Sequence, residues 1–468
     1  MVFSAPAFLF LFLPWVLLCS LFGGVRTKNL LLIGWSLLFY YYSGGSLLIL
    51  LLASCLVNWG MGLALERRPS RALLTLGVMF NVGVLVYYKY ANFIVAQLGG
   101  LQVFSQFAHD WQAVTLPIGI SFFTFQGMSY MLDVWRREMK AFRNPLDVIL
   151  CVSFFPHLIA GPIVRLSHLA DQLHHRHRTW EDFVIGAARF TWGLGKKVLI
   201  ADICSKMANA GFDTDPHELR RAAAWLALLG YTLQIYFDFS GYSDMAVGLA
   251  RMFGFRFPEN FLHPYTAVSV TDFWRRWHMS LSTWFRDYLY FPLGGNRVSA
   301  IKVYRNLLIV FLVTGFWHGA NWTFVIWGLF HGGFLMLERW SGLARLENPR
   351  LTPFRRVATI LIVMISWAIF RSADAAACRD FLGALVHSRI KAPFPVSMVK
   401  LMDVQTWLAF GIGCLAFIAP RQTTGGLFLG GDGPWAHRAR ALILLVLLPV
   451  VISQVMASDY SPFLYFQF

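Results

Sequence analysis

The sequence predicts an all-α polytopic membrane protein of roughly eleven membrane elements, some of them re-entrant or interfacial. Three observations carry that expectation. Of 468 residues, 57% are hydrophobic and only 14% charged, against about 25% charged in a soluble domain. The polar supply is too small to cover a water-facing surface of this size, so lipid must solvate much of the exterior. Apolar runs follow one another almost end to end without a long polar linker, which predicts a single membrane domain over residues 1–468 with a motif core at about 151–336. Finally, the net charge of +16 sits in short Lys/Arg clusters between those runs, a pattern that sets membrane topology. No basic groove or nucleic-acid module accompanies it, so nucleic acid is not an expected partner.

The first run, Phe3–Phe22, has no Lys or Arg ahead of it; the first basic residue is Arg26. It lacks the basic start of a signal peptide and reads as an uncleaved span. Further runs cover residues 29–43, 45–61, 72–99, 115–134, 146–163, 182–203, 222–250, 306–336, 356–370, 404–419 and 440–457. A spanning helix needs about 20 apolar residues, so the shorter runs are tilted or re-entrant. Arg26 and Lys28, then Arg67, Arg68 and Arg71, then Arg136, Arg137, Lys140 and Arg143 form basic loops, whereas residues 99–115 have no Lys or Arg. The basic loops are expected at the cytoplasmic face of the membrane, with the N-terminus outside. That alternation requires 29–43 and 45–61 to be separate elements.

The six cysteines (Cys19, Cys55, Cys151, Cys204, Cys378 and Cys414) are scattered, several within apolar runs. They read as small apolar residues, not as a disulfide framework or ligand set. The stretch His174, His175, Arg176, His177, Arg178 raises metal binding, but interleaved arginines oppose a cation, and a solvated loop is expected. No metal is called for.

Three segments carry chemistry. In Thr271–Arg297, read as a helix capped by Thr271, Phe273, Trp277, Leu281, Trp284 and Tyr288 make one apolar stripe, with Arg275, Arg276 and Arg286 elsewhere on the circumference. Such a helix anchors the chain at the membrane surface or walls a site that offers its arginines to an anionic donor. His278 lies in its middle. In Thr314–Gly333, His318 sits within a Gly- and Trp-rich apolar run, where an ionisable group is costly unless neutral, paired or hydrated. A neutral buried imidazole suits a general base; a neutral His bonded to a carbonyl in a helix bundle fits equally. His331, 13 residues on, would stand about 20 Å from His318 along one continuous helix, so His278 and His318 are paired and His331 is given a supporting or structural place, unless Gly319 or Gly328 breaks the helix. In Tyr231–Arg251, Asp238 and Asp244 are embedded in an apolar run and need partners, for which Arg251 or a histidine is available. Upstream, His157 lies between prolines in FFPHLIAGPIVR (Phe154–Arg165), where a broken or re-entrant helix is implied.

These stretches resemble the membrane-bound O-acyltransferase family, in its bacterial branch containing the alginate O-acetylation membrane subunit. The resemblance rests on FFPHLIAGPIVR, IYFDFSGYSDMAVGLARMFGF, FWRRWHMSLSTWFRDYLYFPLGGNR, TGFWHGANWTFVIWGLFHG and the terminal PFLYFQF, and it extends over most of the chain. It implies a helical bundle around a central tunnel, with the histidine of the WHG segment, here His318, essential. The polar position of the WRRWH segment, here His278, holds Asn or Asp in many eukaryotic members, which favours an orienting role. The implied donor is acetyl-CoA from the cytoplasm, a substrate and not a bound cofactor. The implied acceptor is a hydroxyl of an exopolysaccharide, alginate or cellulose, reached through a periplasmic partner protein. Arg275, Arg276, Arg286, Trp317, Asn321 and Asp238 are the candidate substrate-binding residues. Both general-base catalysis and a covalent acetyl-histidine satisfy the resemblance. A transporter or flippase also explains many spans and intramembrane His and Asp, as does a non-catalytic export subunit; internal repeats would favour transport, and none is visible.

Overall fold

The computed structural model describes residues 1–343, 348–387, 393–419, 429–457 and 463–464, and every regular element among them is a helix. Five apolar stretches are long enough to cross a membrane: Val25–Arg67, Arg71–Leu98, Ala300–His318, Pro349–Arg371 and Pro434–Ala457. Phe8–Cys19 and Val404–Phe417 are shorter apolar helices. The protein is therefore an all-helical, multi-pass membrane protein. The first predicted span is helical only over Phe8–Cys19, less than a full crossing.

The chain divides into two compact units. The first comprises Met1–Phe183 and Leu249–Pro258. Its stretch Val25–Arg67 is two helices, α1 (Val25–Gly44) and α2 (Leu48–Arg67), as the charge alternation requires. Gly45, at φ 55° and ψ −130°, breaks the run, and glycine reaches such backbone without a Cβ penalty. Then follow α3 (Arg71–Leu98), whose Ser70 accepts from Leu73 N–H, and α4 (Ile120–Trp135). All but two residues of α4 are buried, so this predicted membrane element is a core helix of its unit, apolar on every side for that reason. In FFPHLIAGPIVR the helix does break: a four-residue turn, Phe155–Leu158, leads to irregular chain with Gly161 at φ 103°. His157 is fully buried and its Nε2–H donates to the Cys151 carbonyl at 2.8 Å, so this histidine has a structural partner. Arg251, expected beside Asp238 or Asp244, instead donates to Asp182 at 3.1 Å. His174, His175 and His177 are exposed, and among the described residues no cluster of His, Cys, Asp or Glu forms a metal site.

The second unit comprises Val184–Gly248 and Glu259–Phe468. At its centre is α6 (Arg221–Met252), reached through α5 (Trp180–Gly195). A π-helical turn, Lys196–Ala201, follows α5. Gly193 and Gly241 face each other: a Cβ on either would overlap the other's carbonyl oxygen, and one on Gly248 would overlap that of Gly186. Small residues let the two backbones approach this closely, which brings the polar side chains of α5 against those of α6. Further on, α7 (Val270–Trp274) and α8 (Met279–Phe285) are short, and α9 (Ala300–His318) and α10 (Trp322–Ser341) are full-length. The predicted run 306–336 is thus two helices. They pack with Gly315 and Gly328 in contact, where any Cβ would overlap the Phe324 or Phe311 carbonyl.

Candidate active site

The predicted continuous helix from Thr271 is not formed. Ser269 caps α7 by accepting from Asp272 N–H at 2.9 Å, and α7 ends after five residues. Thr271 has another role: its N–H and Oγ–H donate to Glu338 of α10 at 2.9 and 2.7 Å, beside Val270 N–H at 2.6 Å. A buried carboxylate from a distant helix thus takes up the free N–H groups of α7, where the helix dipole favours negative charge. The chain then turns through His278, at φ 44° and ψ 54°, before α8 begins. Few non-glycine residues adopt this left-handed backbone, and they concentrate where surrounding structure enforces it. The apolar stripe read from the sequence is therefore split, and the histidine stands at the split.

His278 is buried against the edge of Phe239, ring centroids 4.7 Å apart. Its Nδ1–H donates to Asn260 Oδ1 at 3.2 Å; the same oxygen accepts from Ser280 Oγ at 2.9 Å and Ser280 N at 3.2 Å. Asn260 Nδ2 in turn donates to Ser243 Oγ at 3.1 Å. The amide selects the tautomer with its proton on Nδ1, which leaves Nε2 as a hydrogen-bond acceptor. Burial holds the His278 imidazole far below the usual histidine range, at about 3, so it is neutral near pH 7.

His318 closes α9. Gly319, in extended conformation, ends the helix, and Asn321 restarts the chain by capping α10 through Thr323 N–H at 3.1 Å. The His318 imidazole is buried among Trp327, Phe370 and Phe324, with ring centroids at 5.1, 5.2 and 6.5 Å. Trp317 neighbours both histidines: its ring is 6.3 Å from that of His278 and 5.0 Å from that of His318.

The helix break at Gly319 changes the place of His331. Its ring is 4.8 Å from the Trp327 indole, which also flanks His318, so the two imidazoles are much closer than the 20 Å of a continuous helix. His331 Nδ1 accepts from Trp274 Nε1–H at 3.2 Å. Together with Glu338, it makes α10 the support on which α7 rests.

The remaining candidates are dispersed. Arg276 is buried, donating to Asp272 Oδ1 at 2.8 Å and Thr266 Oγ1 at 3.2 Å; Arg275 is exposed. Arg286 is exposed and paired with Asp287 at 2.7 Å. Asp238 is held by Lys197 at 2.7 Å and accepts from Leu464 N–H at 2.8 Å. Of the terminal PFLYFQF, only Phe463 and Leu464 lie within the described residues.

Several polar partners carried no signal in the motif reading. Lys196 and Lys197 occupy the π-helical turn after α5. Lys197 bridges Asp238 and Asp202, both at 2.7 Å, while Lys196 reaches Asp244 at 2.6 Å. Arg189 donates to Asp244 at 2.9 Å and pairs with Glu259 at 2.5 Å. Two adjacent lysines inside an apolar run were themselves a signal, because charge at that depth needs partners. Arg189, Lys196, Asp244, Glu259 and Asn260 are among the residues lining a largely apolar cavity of about 670 Å³. Asn260 connects this cavity to His278.

Comparison with known proteins agrees with this architecture. Residues 73–373, which include His278 and His318, match the model of the MBOAT, membrane-bound O-acyltransferase family. The chain is 41% identical to a protein of Pseudomonas putida named "Probable alginate O-acetylase AlgI", and 40% identical to one of the same name from Azotobacter vinelandii; both matches cover all of each chain. It is 36% identical to the peptidoglycan O-acetyltransferase of Helicobacter pylori, over 82% of this chain and 80% of that one. The buried histidines, the helical architecture and these full-length similarities lead to one assignment: the chain belongs to the membrane-bound O-acyltransferase family and is a multi-pass membrane O-acyltransferase.

Proposed function

We propose that this O-acyltransferase draws acetyl groups from cytoplasmic acetyl-CoA and passes them across a bacterial inner membrane for O-acetylation of an exported polysaccharide, through a periplasmic partner protein. Alginate is the favoured polymer because the full-length relatives carry that name; cellulose is the alternative. The observation that carries the mechanism is that His278 and His318, both buried, pack near the same Trp317 indole, with ring centroids 6.3 and 5.0 Å from it.

In the reaction, the acceptor hydroxyl oxygen attacks the thioester carbonyl. The new C–O bond forms as the C–S bond breaks, and the hydroxyl proton ends on the departing thiolate. His318 is the base that takes this proton, and a neutral imidazole is the competent form. Asn260 holds His278 in one tautomer and one orientation, so its role is to orient the thioester or the base. Trp317 and the rings around His318 exclude water, which would otherwise hydrolyse the thioester. Arg275 and Arg286, exposed on the segment that contains His278, are the candidates for the anionic phosphates of the donor. Arg276, Asn321 and Asp238 support the site through their partners.

The test is the acetyl content of exported polymer from cells with wild-type or His318→Ala protein at matched membrane levels. Loss of acetate with normal polymer export is expected. Unchanged acetate would refute the role of His318, and loss of export would favour a transport function instead.

A further inference from the structure

The cavity beside Asn260 has a composition that neither donor nor acceptor explains. Its apolar lining includes Leu199, Ile200 and Ile203 from one stretch of the chain and Leu408, Ile412 and Leu415 from another. The last three are also 60%, 53% and 55% exposed on the outside of the short apolar helix Val404–Phe417. The cavity therefore adjoins an apolar exterior, which in a membrane protein is lipid. At its polar side stand two cations, Arg189 and Lys196, and two carboxylates, Asp244 and Glu259, within ion-pair distance of one another. Glu259 remains 42% exposed, and Ser240, Ser243, Asn260, His263 and Gln405 add further polar lining.

We infer that this cavity holds a zwitterionic glycerophospholipid, one acyl chain between the apolar walls and the headgroup at the ionic cluster. The volume lies within the range of sites that enclose a small molecule, about 300–1,000 Å³. Charge selects the headgroup: a lipid phosphate faces Lys196 and the Ser240 hydroxyl, and its ammonium faces Glu259. A polyanion such as coenzyme A would meet two carboxylates, and a sugar polymer would meet hydrocarbon walls; both are disfavoured. The lipid is not a reactant in the acyl transfer proposed above, although Asn260 links its site to His278.

The experiment uses the full chain in nanodiscs of phosphatidylethanolamine and phosphatidylglycerol, with a trace of phosphatidylethanolamine bearing a photoreactive acyl chain. Labelled peptides are mapped by mass spectrometry. Ile200, Ala409 and Ala416 line the cavity and are buried, so label on them reports a lipid inside and not the annular layer. Label is expected there, competed several-fold better by phosphatidylethanolamine than by phosphatidylglycerol. Ala409→Phe should remove it while label on the exposed face of Arg71–Leu98 persists, which also shows that the variant is folded. Lys196→Gln should flatten the headgroup preference. Label confined to exposed faces, equal competition by phosphatidylglycerol, or clearance by acetyl-CoA would each overturn the assignment; the last would mark the cavity as a donor channel.

Discussion

Two buried polar regions of the second unit solve the same problem in opposite ways. Around α5 and α6, Arg189, Lys196 and Lys197 face Asp244, Glu259, Asp238 and Asp202 at ion-pair distances. There the charges are real and each is compensated. Around α7 to α10, His278, His318 and His331 lie among aromatic rings, with the Asn260 amide bonded to His278 and the Trp274 N–H to His331. There the polar contacts to His278 and His331 come from uncharged groups. A group that must accept a proton and release it again belongs in the second kind of region. A carboxylate counter-ion would raise the imidazole pKa and favour the protonated form, which cannot accept the hydroxyl proton. On the function proposed above, the imidazoles carry the chemistry, while the ion pairs tie α5 to α6.

Substitutions can break or sharpen that contrast. The largest effect expected is on activity: His318→Ala should lower polymer acetylation by about 10²-fold or more, the range of a lost general base, with the protein still inserted at normal levels. Asp244→Ala should do the reverse. It strands Lys196 and half of the Arg189 pairing, at a cost of about 3–5 kcal/mol, so thermal stability in detergent should fall first and acetylation only in proportion to folded protein. If Asp244→Ala were fully stable yet inactive, the division between the two regions would fail.

Next in size is His278. His278→Ala should be severe, whereas His278→Asn, which keeps a hydrogen-bonding side chain, should retain much more acetylation; equal losses would argue for proton transfer at His278. His331→Ala should be milder still. It leaves the Trp274 N–H without its acceptor, at about 1–3 kcal/mol, and should reduce stability while substantial activity remains. Complete loss of activity in a folded His331→Ala protein would make this imidazole part of the chemistry, a result its place on Trp327 would accommodate. The smallest effect is in pH dependence. The folded-state pKa of His278 is depressed to about 3, whereas the unfolded chain takes up that proton near 6.5. Between those values the unfolded state binds more protons, so stability falls as pH is lowered through the window. His278→Asn should flatten that part of the stability profile, measured by thermal unfolding at a series of pH values.

The fold class and the candidate site residues were legible in residue types. A 57% hydrophobic composition, apolar runs of spanning length and clustered basic residues suffice for a helical membrane protein. The WRRWH and WHGANW segments marked His278 and His318, and the helix break at Phe154–Arg165 followed from its prolines and glycine. What periodicity could not reveal was where helices stop. It extended a helix through Thr271–Tyr288, because the apolar positions repeat at helical spacing. The backbone leaves that path at His278, where Asn260 and Glu338 hold the flanking turns from outside the segment. It extended another through 306–336, because Gly319 is tolerated within a membrane helix and nothing local shows that Asn321 will cap a new one.

Sequence thus determined which residues are too polar for their surroundings, and so which had to find partners. Tertiary structure alone decided which partners they found. Asp238 and Asp244 pair with lysines and an arginine from α5 and its π-helical turn because glycines on both helices let the backbones close. Arg251, on the same helix as both carboxylates, went to Asp182. His331 came beside His318 because the chain reversed at a glycine. Partner choice depends on distances between segments far apart along the chain, and those distances are set by packing, which no local pattern of residue types encodes.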